Sequence, residues 1–363
     1  MSVFETHYVQ STPHTARMLR AVMRFIGMKK NTERNMLLNR FKKTPEAVPG
    51  KLHRSCNISV EHFYGQKVWT IRRRVERAEK ANRAIGAAVN KADPRAVWVS
   101  ETPLAARESD AVPILLYFHG GAFLEGVTKR HWLLIEKLAQ VWGGAMVFPD
   151  YPLAPEHGCR DIQKFALALY HDVLERYSAS RVVLMGDSAG GGLALSMALE
   201  LRDRGERLPD ALILYSPWLD LTMNNSQLAE LEAVDAILSV QGLRAAAAYY
   251  AQGAPLDEYH ISPLYGSFHN LCPTALFTGT DDLLYADAVR FKERFVQAER
   301  RAAARAERPC NEPVKCGTEQ TYPDLFFYEY PGMFHDWMLV PLLPEASDVI
   351  KKTITFCAQR IEY

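Results

Sequence analysis

The 363 residues carry 48% apolar and 10% aromatic side chains against 23% charged ones, which is enough apolar surface for a large core and unlike the composition of a disordered chain. Forty-three Lys plus Arg balance 42 Asp plus Glu, a formal charge of +1, so no bulk attraction favours nucleic acid and no nucleic-acid partner is expected. The six cysteines are scattered, with no CxxC pair and no histidine spacing beside them; they read as reduced thiols in a cytoplasmic protein and not as a metal site, with Cys310 and Cys316 the one pair close enough in sequence to bridge in an oxidising compartment.

Over residues 1–45 nine cations face two anions, and Met18, Leu19, Val22, Phe25 and Ile26 recur at helical spacing. Arg20 and Arg24 interrupt any signal-peptide core, and no run approaches the roughly 18 apolar residues that cross a bilayer, so neither a secretion signal nor a membrane segment is expected. A basic amphipathic helix can lie on anionic lipid, but the preferred reading packs its apolar stripe on the protein, within an N-terminal cap segment at 1–56. From Ile58 the pattern changes to strands. Ile58–Tyr64 and Lys67–Ile71, split by Gly65, predict an antiparallel hairpin, and the Ala-rich, charged Val75–Lys91 reads as a surface insertion.

From Val112 onward apolar runs alternate with helix-length amphipathic segments, the pattern of a mostly parallel sheet with crossover helices on both faces. Strands are predicted at Ile114–Phe118, Ala145–Phe148, Arg181–Met185, Ala211–Tyr215, Ala275–Thr278 and Phe326–Glu329. Helices are predicted at Trp132–Trp142, Ile162–Tyr177, Ala189–Arg204, Ala286–Ala304 and Ala346–Gln359. The alternation breaks between Ser216 and Pro263, where helical, Ala- and Tyr-rich sequence intervenes; so long an excursion usually has a function, and residues 217–262 are assigned to a cap inserted in a catalytic domain at 57–363.

Gly186-Asp-Ser-Ala-Gly190 follows an apolar strand and opens a helix with three consecutive glycines, Gly190 to Gly192. This is the context of a nucleophile elbow, in which a Ser on a tight strand-to-helix turn projects its hydroxyl above the sheet. His119-Gly-Gly-Ala-Phe123 follows the strand at 114–118, and a side-chain-poor loop there can turn N–H groups toward one oxygen. The N–H groups of Gly120, Gly121, Ala122 and Ala189 are the expected oxyanion hole. Downstream, Gly279-Thr-Asp-Asp-Leu-Leu284 and Gly332-Met-Phe-His-Asp336 each follow a strand, so the order Ser188, Asp, His335 suits a hydrolase triad. Asp282 is favoured as the acid over Asp281, which sequence alone leaves open, and Asp287 is read as structural.

Taken together the chain resembles the hormone-sensitive-lipase-like, GDSAG-type esterases of the α/β-hydrolase superfamily. The residues that carry the likeness are His119-Gly-Gly-Ala-Phe123, Asp150-Tyr-Pro-Leu-Ala-Pro-Glu-His157, Gly186-Asp-Ser-Ala-Gly190, Ser216-Pro-Trp-Leu-Asp-Leu-Thr222, Ser262-Pro-Leu264, Asp282-Leu-Leu284 and Gly332-Met-Phe-His335, over about 110–340. The resemblance implies an α/β-hydrolase fold with a cap and a cofactor-free, metal-free Ser188, Asp282, His335 triad, and it supports Asp282 over Asp281. Three departures stand out: Ala122 where many members have a third Gly, Pro152 in place of an Arg, and the stretch Cys310–Pro323, which lengthens the connection before the last strand.

The expected function is a serine carboxylesterase that takes small to medium acyl esters through an acyl-enzyme. A specialised deacetylase or amidase acting on an acetylated metabolite or sterol is the enzymatic alternative, and a hydrolase-fold receptor for a small ligand the non-enzymatic one. The expected partner is a small-molecule ester; a homodimer is left open.

Overall fold

The computed structural model describes residues 4–8, 48–74, 113–177, 181–306 and 325–360. In chain order these form β1 (Phe4–Tyr8), α1 (Gly50–Ser55), β2 (Cys56–Phe63), β3 (Gln66–Arg73), β4 (Ile114–Phe118), α2 (Lys129–Val141), β5 (Ala145–Pro149), α3 (Cys159–Arg176), β6 (Val182–Asp187), α4 (Ser188–Asp203), β7 (Ala211–Tyr215), α5 (Leu228–Val234), α6 (Val240–Ala251), β8 (Thr274–Gly279), α7 (Tyr285–Ala306), β9 (Leu325–Tyr330) and α8 (Pro344–Arg360). The predicted strands and helices from Val112 onward are all present, with ends moved by three residues or fewer. The stripe at Met18–Ile26, the insertion Val75–Lys91 and the pair Cys310 and Cys316 lie outside the described residues. Cys56, Cys159, Cys272 and Cys357 are buried free thiols.

Nine strands form one sheet in the order β1-β9-β8-β7-β6-β4-β5-β3-β2. Pairings from β1 to β5 across the sheet are parallel, while β3 runs antiparallel to both β5 and β2. The hairpin expected around Gly65 is β2–β3, with Tyr64 and Gly65 both at positive φ, as a two-residue turn matched to strand twist requires. Residues 4–8, inside the segment expected to belong to the cap, instead pair in parallel with Leu325–Tyr330 at the far edge.

The continuous apolar strands follow from burial on both faces. Along β4, Ile114, Leu116 and Phe118 join a core with Phe165 of α3, Leu193 of α4 and Phe291 of α7, while Leu115 and Tyr117 join Trp132 and Leu138 of α2 and Phe356 of α8 on the other side. Both α5 and α6 lie in the excursion after β7, and Leu243, Ala246 and Tyr250 of α6 pack into the first of these cores. No helix among the described residues is long and apolar enough to cross a membrane.

One topological feature positions the site. From β4 the chain passes outward to β5 and then returns to β6 on the other side of β4. The loops leaving β4 and β6 therefore rise side by side at the strands' carboxyl ends, where open α/β sheets leave a crevice.

Candidate active site

Ser188 is the first residue of α4 and sits at φ 49, directly after β6. That backbone conformation costs a non-glycine residue on the order of 1–3 kcal/mol, and the surrounding packing must hold it. Strand and helix approach closely enough that a Cβ on Gly190 would run into the carbonyl of Phe118, and one on Gly186 into the carbonyl of Gly190. The small residues of the motif thus permit the turn. The Trp218 N–H donates to the Ser188 carbonyl at 2.9 Å and fixes the elbow from the loop after β7.

The loops after β8 and β9 bring the other two expected residues to this serine. His335 Nε2 lies 3.0 Å from Ser188 Oγ, and His335 Nδ1 lies 3.0 Å from Asp282 Oδ2. All three side chains are buried. Asp281 has its N–H on the Met333 carbonyl and its Oδ1 at 3.3 Å from Thr280 Oγ1, so of the two adjacent acids it is Asp282 that meets the imidazole. Asp287 is bound to Asn225 Nδ2 at 2.9 Å and to the Arg290 guanidinium at 2.7 Å, away from His335.

After β4 the chain turns sharply inward, with Gly121, Ala122 and Phe123 at φ 118, 52 and 61. The N–H groups of Leu124 and Glu125 close the turn on the Gly121 carbonyl at 3.0 and 2.9 Å. A Cβ on Gly121 would strike the Glu125 carbonyl, so glycine is required there, whereas Ala122 adopts its positive φ with its N–H intact. Gly120 lies against the elbow itself: a Cβ there would meet Asp187 Oδ2 and come within 3.0 Å of Ser188 Cβ.

Beneath this loop is a buried polar cluster. Tyr117 donates its hydroxyl to Asp187 Oδ1, and His131 Nε2 lies 3.4 Å from Asp187 Oδ2. The Thr128 N–H donates to His131 Nδ1 at 2.9 Å, which leaves the proton on Nε2, facing the carboxylate. Burial alone would raise the Asp187 carboxyl, but His131 and the Tyr117 hydrogen bond outweigh it and hold the group below the ordinary carboxylate value. His119 stacks on Tyr151 with ring centroids 4.3 Å apart, and burial together with His131 pushes its pKa down to about 3. It is therefore neutral and no rival to His335 as a charged group.

His335 behaves differently. Burial would lower the His335 pKa, but the carboxylates of Asp282 and Asp336 more than offset it and hold the imidazole well above its ordinary value. Two acids that sequence reasoning gave no role, Asp235 and Asp336, complete this environment. Asp235 is buried just before α6; its Oδ1 accepts from Ile237 and Leu238 at 2.6 and 2.8 Å, and its Oδ2 accepts from Leu283 N–H at 2.7 Å. Burial and the charge of Asp282 push it up to about 6. The one signal for it in the sequence is an acid between apolar neighbours in Val234-Asp-Ala-Ile-Leu238. Helix α6 reaches the other loop, where Tyr250 stacks on Phe123 at 3.8 Å and 9°.

Residues 115–309, more than half of the chain, match the family model described as the alpha/beta hydrolase fold. The chain belongs to this family. Over 194 residues it is 32% identical to an esterase of Acinetobacter venetianus, a match covering 53% of this chain and 64% of that protein, so it spans slightly under two thirds of that relative. It is 33% identical over 239 residues to an acetyl-hydrolase of Streptomyces hygroscopicus, covering 65% of this chain and 72% of the relative. The crystal structure of an esterase from the bacterial hormone-sensitive lipase family superposes with a TM-score of 0.69 at 21% identity, over 98% of this chain and all of the other, a likeness of fold.

Proposed function

We propose that this α/β hydrolase is a serine carboxylesterase in which Ser188 is the nucleophile, His335 the general base and acid, and Asp282 the residue that orients His335. The observation that carries the reading is the continuous hydrogen-bond relay from Asp282 Oδ2 through His335 to Ser188 Oγ, each link 3.0 Å, at the mouth of an elbow. The esterase and acetyl-hydrolase names of the relatives support the same reaction class.

In this mechanism Ser188 Oγ attacks the ester carbonyl carbon while its proton passes to His335 Nε2. The oxygen that becomes negative is bound by N–H groups of the β4 loop, Gly120, Gly121 and Ala122, and by Ala189 at the head of α4, where the helix dipole adds to the field. Collapse of the tetrahedral intermediate expels the alcohol, which takes the proton from Nε2 and leaves an acyl-Ser188 ester. Water then attacks this ester with His335 again as base, the acid departs, and Ser188 regains its proton. The chemistry calls for no metal or organic cofactor. The domain division also belongs here: a catalytic unit over 57–363, whose sheet Phe4–Tyr8 extends at one edge, with 217–262 as cap and the small-molecule ester entering beneath it.

Labelling tests the assignment. A fluorophosphonate should attach once per chain and abolish hydrolysis of p-nitrophenyl butyrate, and Ser188→Ala should neither label nor turn over, with a loss on the order of 10⁴–10⁶ in kcat. A folded Ser188→Ala protein that keeps about a tenth of the rate would overturn the nucleophile assignment.

A further inference from the structure

Beside the Ser188–His335 hydrogen bond stands a second acceptor that the relay leaves unused. Asp336 Oδ2 lies 3.1 Å from His335 Nε2, against 3.0 Å for Ser188 Oγ on the same nitrogen. A ring nitrogen carries one proton at most, so the two oxygens compete for it. The other carboxylate oxygen, Oδ1, is buried and has no hydrogen-bond partner among the described residues. Asp336 is held at φ 53, a left-handed conformation Asp tolerates, with its N–H directed to Ser216 Oγ at 3.4 Å. A carboxylate kept for local structure alone would normally have both oxygens satisfied. Here its partner is the base itself.

The charged groups around the pair come from several elements. His335 faces Asp282 from the loop after β8, Asp235 from the segment before α6, and Ser188 at the head of α4. Asp336 faces Asp187 at the end of β6 and Tyr117 of β4, and His131 of α2 stands behind Asp187. Carboxylates thus outnumber cations around the imidazole, which favours retention of a proton. Burial pushes the Asp336 carboxyl up to about 7, with His335 acting against that shift and Asp187 with it. Both members of the pair therefore bind protons more tightly than they would in water, and the pair titrates as a unit.

We propose that Asp336 is a proton-holding partner of the general base: in the resting enzyme it accepts the Nε2–H of protonated His335 and keeps Nε2 from taking the Ser188 proton until the shared proton leaves. The inference rests on the reading of Ser188, His335 and Asp282 as the catalytic relay. No bond is made or broken by Asp336; it sets how much of the enzyme has a free base at a given pH. Its presence displaces the acid limb of kcat/KM to higher pH. During turnover it offers the imidazolium a second acceptor beside the leaving oxygen.

The test uses the full chain labelled with ¹⁵N-histidine, with the His335 resonances assigned by His335→Gln. In Asp336→Asn, which suits the left-handed backbone, the His335 titration midpoint should fall by about 1–3 pH units, as expected when an adjacent opposite charge is removed. Asp336→Gly removes the side chain at the same φ and should give the same shift if Asn disturbs folding. The acid limb of kcat/KM for p-nitrophenyl butyrate should move down in parallel. Midpoints that stay within about 0.3 unit of wild type in both folded variants would overturn the proposal even if kcat fell, because that is the pattern of a merely structural residue. A shifted midpoint with an unshifted limb would overturn it as well, since the held proton would not then gate the base. Failure of the catalytic reading is recognised separately, by hydrolysis that survives Ser188→Ala while His335 still titrates with Asp336.

Discussion

The carboxylate of Asp235 accepts the N–H of Leu283 at 2.7 Å, one residue beyond the acid that holds His335. The same carboxylate caps the turn leading into α6 through Ile237 and Leu238. The segment after β7 and the loop after β8 are thereby fixed to each other at the point where the position of Asp282 is decided.

Removing that carboxylate should weaken both the fold and the chemistry. Asp235→Ala leaves three N–H groups without their acceptor, at a cost of about 1–3 kcal/mol for each that stays dry. Unfolding in urea should show a lowered midpoint, and kcat should fall more than KM changes, because Asp282 loses its support. The pH dependence has a defined sign. With its folded pKa at about 6 against an ordinary 3.8, Asp235 binds a proton in the folded chain at a pH where the unfolded chain has released it. Ionised Asp235 therefore costs the fold stability above that window, and the cost disappears as the pH falls through it. Thermal melts should show wild type gaining on Asp235→Asn between about pH 7 and pH 4, and a difference that is constant with pH would contradict the assignment.

The neighbouring acids offer a clean comparison. Asp282→Asn should reduce kcat by roughly 10³–10⁴ with little change in KM, since an amide at Nδ1 favours the wrong imidazole tautomer. Asp281→Asn, with its side chain at Thr280, should stay within a few-fold of wild type. Steady-state rates on one soluble ester separate the two, and the reverse order would move the acid by one residue.

How far the sequence could be read depended on the range of the interactions involved. The strands from Ile114 to Tyr330 were legible because both faces of the sheet are covered, so each strand is a continuous apolar run bounded by turn residues. The elbow was legible because its constraints are local: Gly186, Ser188 and Gly190 are fixed by contacts within a few residues and by the close passage of Phe118. By contrast, Asp235 meets Leu283 across 48 residues of sequence, and no periodicity marks such a contact. Asp336 was visible beside His335 in the motif, but its contact with Nε2 depends on a left-handed backbone that no side-chain pattern announces. Phe4–Tyr8 forms an edge strand by backbone pairing with Leu325–Tyr330, and its five residues carry little amphipathic signal of their own.

Gly120 gives a test of the loop after β4. Gly120→Ala places a methyl against Asp187 Oδ2 and Ser188 Cβ, two groups held rigidly at the elbow. The loop must retreat, and its N–H groups lose their aim at the developing oxyanion, at an expected loss of about 10²–10³ in kcat. Ala122→Gly, at φ 52, should remain active because glycine accepts that backbone freely. Equal activity of both variants would remove this loop from the oxyanion hole.

The acyl-chain preference expected under the proposed esterase reading follows from the way α6 is joined to the site. Tyr250 of α6 is buried and stacked face to face on Phe123, and the Trp218 ring also stacks with Phe123, its centroid 6.2 Å away. A cover held by packed aromatic rings differs from a mobile lid that exposes an apolar docking surface at an oil-water interface. Under the proposed reading an ester enters beneath it as a single dissolved molecule. Each acyl methylene buried there contributes roughly 0.8 kcal/mol until the chain outgrows the space and the trend reverses. On a p-nitrophenyl series from acetate to palmitate, kcat/KM should rise and then fall, with its maximum between acetyl and octanoyl and no jump in rate where substrate passes its solubility limit. Tyr250→Ala should move that maximum to longer chains while lowering stability by about 3–5 kcal/mol, the usual cost of truncating a buried aromatic. Preference for emulsified long-chain triglyceride with interfacial activation would contradict the enclosed cover, and a flat, very low rate along the whole series would favour a deacetylase or amidase with one particular acetylated substrate.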